Sequence, residues 1–306
     1  MVFHERPYFT HHAVKASSYM TFEVAGKGGF EAVDPFDASD TNSSGKYYGF
    51  TCYVSSIQMA DQITPTFHCD GYDDVTDYSY TVLDYVEFVE DNAEIYAGAG
   101  QAGMTTLALV RSLADYGHYV QPFLSASHGW TIGTDYAAMP AAAEIQGSRA
   151  HVITAADVDA AAAATAKKAI EWTLPDGCGV EEATQSLKLS TGTDIVLYFK
   201  MQDGASVVSA TIDGEATTPM QGSDGRWAVT VPNIKAQDLG LDYNVSVQTS
   251  TGATVEAKVS ALSYASALFA SDSYKDNDQA RYAMAALYRY WDAAVKYLEA
   301  TGGENA

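Results

Sequence analysis

The sequence predicts an α+β chain of two repeated modules, each a small antiparallel β-sandwich followed by a two-helix hairpin. Two observations predict it. The segment Tyr80-Thr-Val-Leu-Asp-Tyr85-Val recurs as Val259-Ser-Ala-Leu-Ser-Tyr264-Ala, an offset of 179 residues from Tyr85 to Tyr264. Beyond each copy runs a second apolar row: Leu109, Leu113, Tyr116, Val120 and Phe123, then Ala283, Leu287, Tyr290, Ala294 and Tyr297. Both rows step by 4, 3, 4 and 3, the spacing of one helix face. A shared period at a near-constant offset marks a duplicated supersecondary unit.

The second module is the clearer one. Ser186-Leu-Lys-Leu and Asp194-Ile-Val-Leu-Tyr-Phe-Lys-Met read as strands, with Ile195, Leu197, Phe199 and Met201 on one face. Val208 to Thr218 reads as a hairpin whose Asp213-Gly214 pair supplies the positive φ angles of a tight turn. Arg226-Trp-Ala-Val-Thr-Val, Tyr243-Asn-Val-Ser-Val and Thr254-Val-Glu-Ala-Lys-Val bring the total to about seven short strands, a sandwich spacing. A short helix follows, with Ala261, Leu262, Tyr264, Ala265 and Leu268 on one side. A longer helix spans about 279–299, with Met284, Trp291 and Leu298 as its adjacent row, and Gly302-Gly303 stops it.

The first module repeats this plan. Val54, Ile57 and Asp61 fall on Val231, Ile234 and Asp238 without a gap, and the short-helix face returns as Val82, Leu83, Tyr85, Val86 and Val89. For the long helix the offset drops to 174 (Tyr116 to Tyr290), so the extra residues are expected in an interhelix loop, Asn92 to Gly103. The boundaries that follow are 1–124 for the first module, with 1–45 atypical, and 125–172 for a linker. The second module is 173–300 and a tail covers 301–306. In the linker, Thr154 is expected to cap an alanine-rich helix running to about Ala169, which either stacks the modules or tethers them.

Composition excludes several function classes. Lys+Arg 17 against Asp+Glu 39 gives a net charge of −22, which opposes nucleic-acid binding and docking on anionic membranes. No run of about 18 apolar residues is present to span a bilayer. Met1-Val-Phe-His-Glu-Arg-Pro does not read as a leader, so an exported protein would carry this chain as a processed piece. Cys52 and Cys69 sit on two expected strands, each facing the same way as a phenylalanine two residues off (Phe50, Phe67). They are either bridged or two thiols of one core, and Cys178 in its turn is unpaired.

No catalytic constellation emerges. The seven histidines carry no ligand spacing: His11 and His12 are adjacent, and His68 and His118 each stand alone. There is no Gly-x-Ser-x-Gly elbow. Asp73, Asp74 and Asp77 read as a polar turn before a helix. Calcium is the one candidate cofactor: Asp34, Asp37, Asp40 and Asn42 offer oxygen ligands without the spacing of an EF loop, and Asp272, Asp276 and Asp278 form a weaker set. For a sugar ligand the stacking candidates are Trp130 with Tyr136, and Tyr47 and Tyr48; Trp227 and Trp291 are expected in the core. Tyr85 and Tyr264 are expected buried where sheet meets helices.

The stretches Val259-Ser-Ala-Leu-Ser-Tyr-Ala and Met284-Ala-Ala-Leu-Tyr-Arg-Tyr-Trp-Asp-Ala-Ala-Val-Lys-Tyr-Leu, with their counterparts from Tyr78 and Leu109, carry a resemblance. So does Tyr53-Val-Ser-Ser-Ile-Gln-Met-Ala-Asp-Gln-Ile. They resemble tandem modules of large surface and secreted proteins of gut Gram-positive bacteria, the Firmicutes and Actinobacteria. The likeness runs from about Tyr47 onward and is specific to architecture. It implies an extracellular, non-catalytic module serving in adhesion, ligand binding or spacing, with a host protein or glycan and neighbouring domains as partners. A carbohydrate-active enzyme, or an accessory domain of one, is the alternative.

Overall fold

The computed structural model describes residues 2–5, 19–24, 27–31, 41–42, 45–46, 50–53, 59, 62–68, 73–76, 79–128, 153–189 and 193–302. They form an α+β fold with antiparallel sheets.

The first half contains β1 (Val2–Glu5), β2 (Tyr19–Val24), β3 (Lys27–Glu31), β4 (Thr41–Asn42), β5 (Gly45–Lys46), β6 (Phe50–Tyr53), β7 (Ile63–His68) and β8 (Val75–Thr76). Strands pair in the order β3-β2-β7-β8, with β1-β6 and β4-β5 as separate pairs. Along β7 the buried residues Ile63 and Pro65 alternate with half-buried Thr64, Thr66 and His68. That period of two gives the sheet one apolar face, holding fully buried Phe22, and one hydroxyl-rich face.

Three helices follow: α1 (Val82–Asp91), α2 (Ala93–Gly98) and α3 (Gly100–His128). Thr81 caps α1 by accepting from the Asp84 amide at 3.0 Å, while the Asp84 carboxylate accepts from the Thr81 amide at 2.6 Å. The segment expected to be an interhelix loop is helical instead. The α2 turn fills it, and Gly103 lets α3 pass so close to the Tyr96 carbonyl that a Cβ there would collide with it. Polar, glycine-rich composition hid a compact helical turn. Helix α3 also runs past the expected module end to His128.

After residue 152 come α4 (Ala155–Thr165), a 3-10 turn (Ala166–Lys168), then β9 (Glu171–Thr173), β10 (Val180–Lys188), β11 (Asp194–Met201), β12 (Val207–Ile212), β13 (Glu215–Thr217), β14 (Met220–Gln221) and β15 (Trp227–Val231). A further 3-10 turn (Ala236–Asp238) leads to β16 (Tyr243–Thr249), β17 (Thr254–Val259), α5 (Ala261–Ala270) and α6 (Asp278–Thr301). Two sheets, β10-β11-β15-β14 and β13-β12-β16-β17-β9, share one core. Ile195, Leu197, Phe199, Val229 and Val231 enter it from the first, and Val207, Val245, Val247, Val255 and Val259 from the second. Asp213 (φ 50) and Gly214 (φ 89) make the expected β12–β13 turn, and Gly302 (φ 73) ends α6 in a left-handed cap.

Thr154 caps α4 as expected, with Asp157 closing the box. This helix packs on α5 and α6, and Val158 and Ala161 enter the core, so it is a structural element and no loose tether. Among the described residues the most extensive helix contact is α3 against α6. Tyr116 stacks on Tyr290 with ring centroids 5.3 Å apart, and Tyr119 meets Tyr282 at 5.7 Å. As α3 advances its partner recedes, so the two helices run antiparallel. Arg289 stitches the seam, with Asp115 and Asp157 each 3.8 Å from it.

Candidate functional site

The first helical cap carries an unusual surface. Val86 and Val89 of α1 close on Leu107, Val110 and Ala114 of α3 as a small core of their own. The buried row of α1 is Val82, Val86, Val89 and Glu90, and Glu90 is held by Arg111, whose Nε and Nη2 donate to the two carboxylate oxygens at 2.7 and 3.0 Å. That hydrogen bond raises the Arg111 pKa.

Turning α1 to seat Glu90 inside carries other residues outward. Tyr85 is 45% exposed and Phe88 58%; Ile95 of α2 at 70% and Met104 of α3 at 56% are exposed as well. The expectation that Tyr85 and Tyr264 are both buried therefore fails at Tyr85. Tyr264 is half-buried against the main core, and burial pushes its pKa up to about 12. The Tyr85 phenol is also raised, first by burial and then by Tyr96 and Tyr297 nearby.

A second arrangement lies on the hydroxyl-rich face of the first sheet. Register pairs Tyr19 with His68 and Thr21 with Thr66, so Thr21 and His68 are diagonal neighbours on one face. The Thr21 hydroxyl lies 2.8 Å from His68 Nε2, and His68 Nδ1 lies 2.9 Å from Asp74 Oδ1. In the neutral tautomer that gives Nδ1–H to Asp74, Nε2 accepts from the Thr21 hydroxyl: a hydroxyl–imidazole–carboxylate series. His68, which has no metal-ligand spacing in the sequence, thus contacts Thr21 on one side and Asp74 on the other. Thr66 and Thr76 at 3.0 Å, and Thr64 and Ser79 at 2.6 Å, continue the hydroxyl ladder. His118 is half-buried on α3 against Tyr119, and desolvation lowers its pKa.

Most of the sites expected from sequence fall outside the residues that the structure describes. Trp130, Tyr136, Tyr47, Tyr48, Asp34, Asp37, Asp40 and Cys69 lie outside the described residues, as do the side chains of Asn42 in β4 and Cys52 in β6. Among the described residues no three His, Cys, Asp or Glu side chains come together to hold a metal ion. Asp272, Asp276 and Asp278 are all exposed. Trp227 and Trp291 pack on the core, where the Trp291 indole N–H donates to the Gln237 carbonyl at 3.1 Å. Cys178 is buried with a free thiol. Among the described residues no helix is long and apolar enough to cross a membrane.

Sequence reasoning missed Phe88, Ile95 and Met104 because it grouped Tyr85 with the valines. The available signal was Glu90 at the valine-row spacing, with Arg111 three residues before the end of the apolar row Leu107, Val110 and Ala114. The Thr21–His68–Asp74 series depends on strand register, which sequence leaves open. No protein-family model, curated protein or solved structure matches the chain.

Proposed function

We propose that the chain is a non-catalytic, extracellular unit of a bacterial surface protein, two copies of one module that bind a partner through the first helical cap. The observation that carries the binding role is the exposure of four large apolar side chains on the three helices of this cap: Tyr85, Phe88, Ile95 and Met104. Large apolar side chains left exposed on three successive helices favour a docking surface over a spacer.

Repeated fine structure supports the duplication. The capping boxes Thr81–Asp84 and Ser260–Ser263 precede helices of 10 residues each. The Leu83 amide donates to the Met59 carbonyl, and the Leu262 amide to the Leu239 carbonyl. Ile63 bridges Tyr80 where Tyr243 pairs with Val259. The order β3-β2-β7-β8 parallels β13-β12-β16-β17. On this alignment β1, paired with β6, takes the place of β11 paired with β15.

A host-protein and glycan array probed with the wild-type chain and with Phe88→Ser tests the reading. Signals present in the wild type and lost in the variant support it, while signals indifferent to the variant sink it. The competing reading is an enzyme acting on carbohydrate or its acyl groups, and the Thr21–His68–Asp74 series favours it. Turnover on a panel of glycans and acylated glycans that disappears in His68→Ala would overturn the non-catalytic reading.

A further inference from the structure

The equivalent faces of the two short helices meet different fates. In α5, Ser263 and Ser266 are 1% and 7% exposed, under β10, α4 and the turn after it. The Ser263 hydroxyl donates to Gln185 of β10 at 2.8 Å, and Lys168 in that turn donates to the Gly240 carbonyl at 2.9 Å and lies 3.3 Å from Asp242. The α1 residues at the same offset are Asp84 and Glu87, both exposed, with Phe88 beside them. Glu94 adds a further exposed carboxylate next to Ile95. No Lys or Arg occurs between Lys46 and Arg111, and Arg111 is taken by Glu90.

From this charge pattern we infer, on the proposed reading of the cap as a binding face, that its partner is a cationic amphipathic helix of another protein. Its apolar side lies on Phe88 and Ile95, and its Lys or Arg side chains meet Asp84, Glu87 and Glu94. The second half supplies an internal template: a small-residue helix followed by lysines already lies against α5. A second copy of this chain docked through the same face would set carboxylates against carboxylates. An anionic membrane surface is repelled for the same reason.

The test uses the intact chain and two synthetic fluorescent helices with one leucine pattern, one carrying lysine on its polar side and the other glutamate. The lysine helix is expected to bind at least about tenfold more tightly than the glutamate helix, and to weaken as salt rises. Phe88→Ser, Ile95→Ser and the pair Glu87→Gln/Glu94→Gln are each expected to weaken it at least about tenfold. Met220→Ser, an exposed apolar residue of the second half, is expected to leave it unchanged. Equal binding to wild type and to all three cap variants means the peptide follows net charge alone and overturns the inference. So does dimerisation of the wild-type chain that Phe88→Ser abolishes, which makes a second copy the occupant. Array partners that bind through Phe88 yet carry no cationic helix overturn the inference while leaving the broader reading intact. Failure of the broader reading has its own signature: an array unaffected by Phe88→Ser.

Discussion

The two helical caps each open on a capped helix of 10 residues and are closed by different chemistry. In the first, Glu90 and Arg111 form a charged clamp at the α1–α3 contact. The positions at the same offsets in the second are Phe269 and Ala285, an apolar pair. The helix-to-loop contact is likewise exchanged in size. Gly117 of α3 lies so close to the Met59 sulfur that a Cβ would overlap it, whereas Trp291 of α6 lies over Gly240, where a Cβ would meet the indole at 2.6 Å. Bulk comes from the loop in one cap and from the helix in the other. A capping box and a backbone hydrogen bond from the preceding loop occur in both caps, and packing only has to fill the space that remains.

The comparison breaks most visibly at its tyrosines. Tyr264→Ala removes a half-buried ring from the main core and should cost about 3 kcal/mol, near the low end for aromatic truncation. Tyr85→Ala, at an exposed position, should cost less than about 1 kcal/mol. Denaturant unfolding of the two variants measures the difference, and equal losses would remove the distinction between covered and open faces.

Gly240→Ala comes next, at about 1–3 kcal/mol of overpacking against a rigid indole. Gly117→Ala should cost less, because the Met59 thioether can rotate aside and alanine favours the helix by about 1 kcal/mol. If Gly117→Ala proves the worse of the two, the exchange of bulk between the caps is misread. Arg111→Ala should cost about 1–3 kcal/mol by leaving the buried Glu90 without its clamp. The double change Glu90→Phe/Arg111→Ala, which copies the second cap, should recover most of that loss in the same unfolding assay.

The pH dependence is the smallest effect. The Tyr264 and Tyr290 phenols are both pushed up to about 12 by burial. Their unfolded value is about 10, so their contribution is complete below that pH and drains away as pH climbs through 12. Tyr290→Phe should flatten the alkaline limb of a stability–pH curve while keeping the stack on Tyr116. His118 shifts the opposite way. Its lowered pKa makes stability fall as pH drops through the unfolded value of about 6.5, and His118→Gln should lessen that fall.

Periodicity made much of this architecture legible. Tyr116 and Tyr290, from the apolar rows that predicted the long helices, stack at the α3–α6 seam, and the Asp213-Gly214 turn, the Thr154 cap and the Gly302 stop are set by local backbone chemistry. The face of α1 was not legible. Tyr85 satisfies the apolar spacing, but a helix can rotate, and the Glu90–Arg111 clamp fixes a rotation that leaves Tyr85 at the margin. The loop that proved to be α2 failed for a related reason: Gly103 serves close approach to the Tyr96 backbone, a tertiary demand invisible in composition. The Thr21–His68–Asp74 series joins residues far apart in sequence through strand register alone.

Amide hydrogen exchange along the whole chain tests the contrast between the caps most directly. The peptides of α1 and α2 should exchange much faster than those of α5, because the first face is open and the second lies under β10 and α4. Addition of the leucine–lysine helix should slow exchange across residues 82–104 and leave the second cap as it was. Equal protection of α1 and α5 in the free chain, or protection by the peptide spread evenly over both halves, would contradict the account.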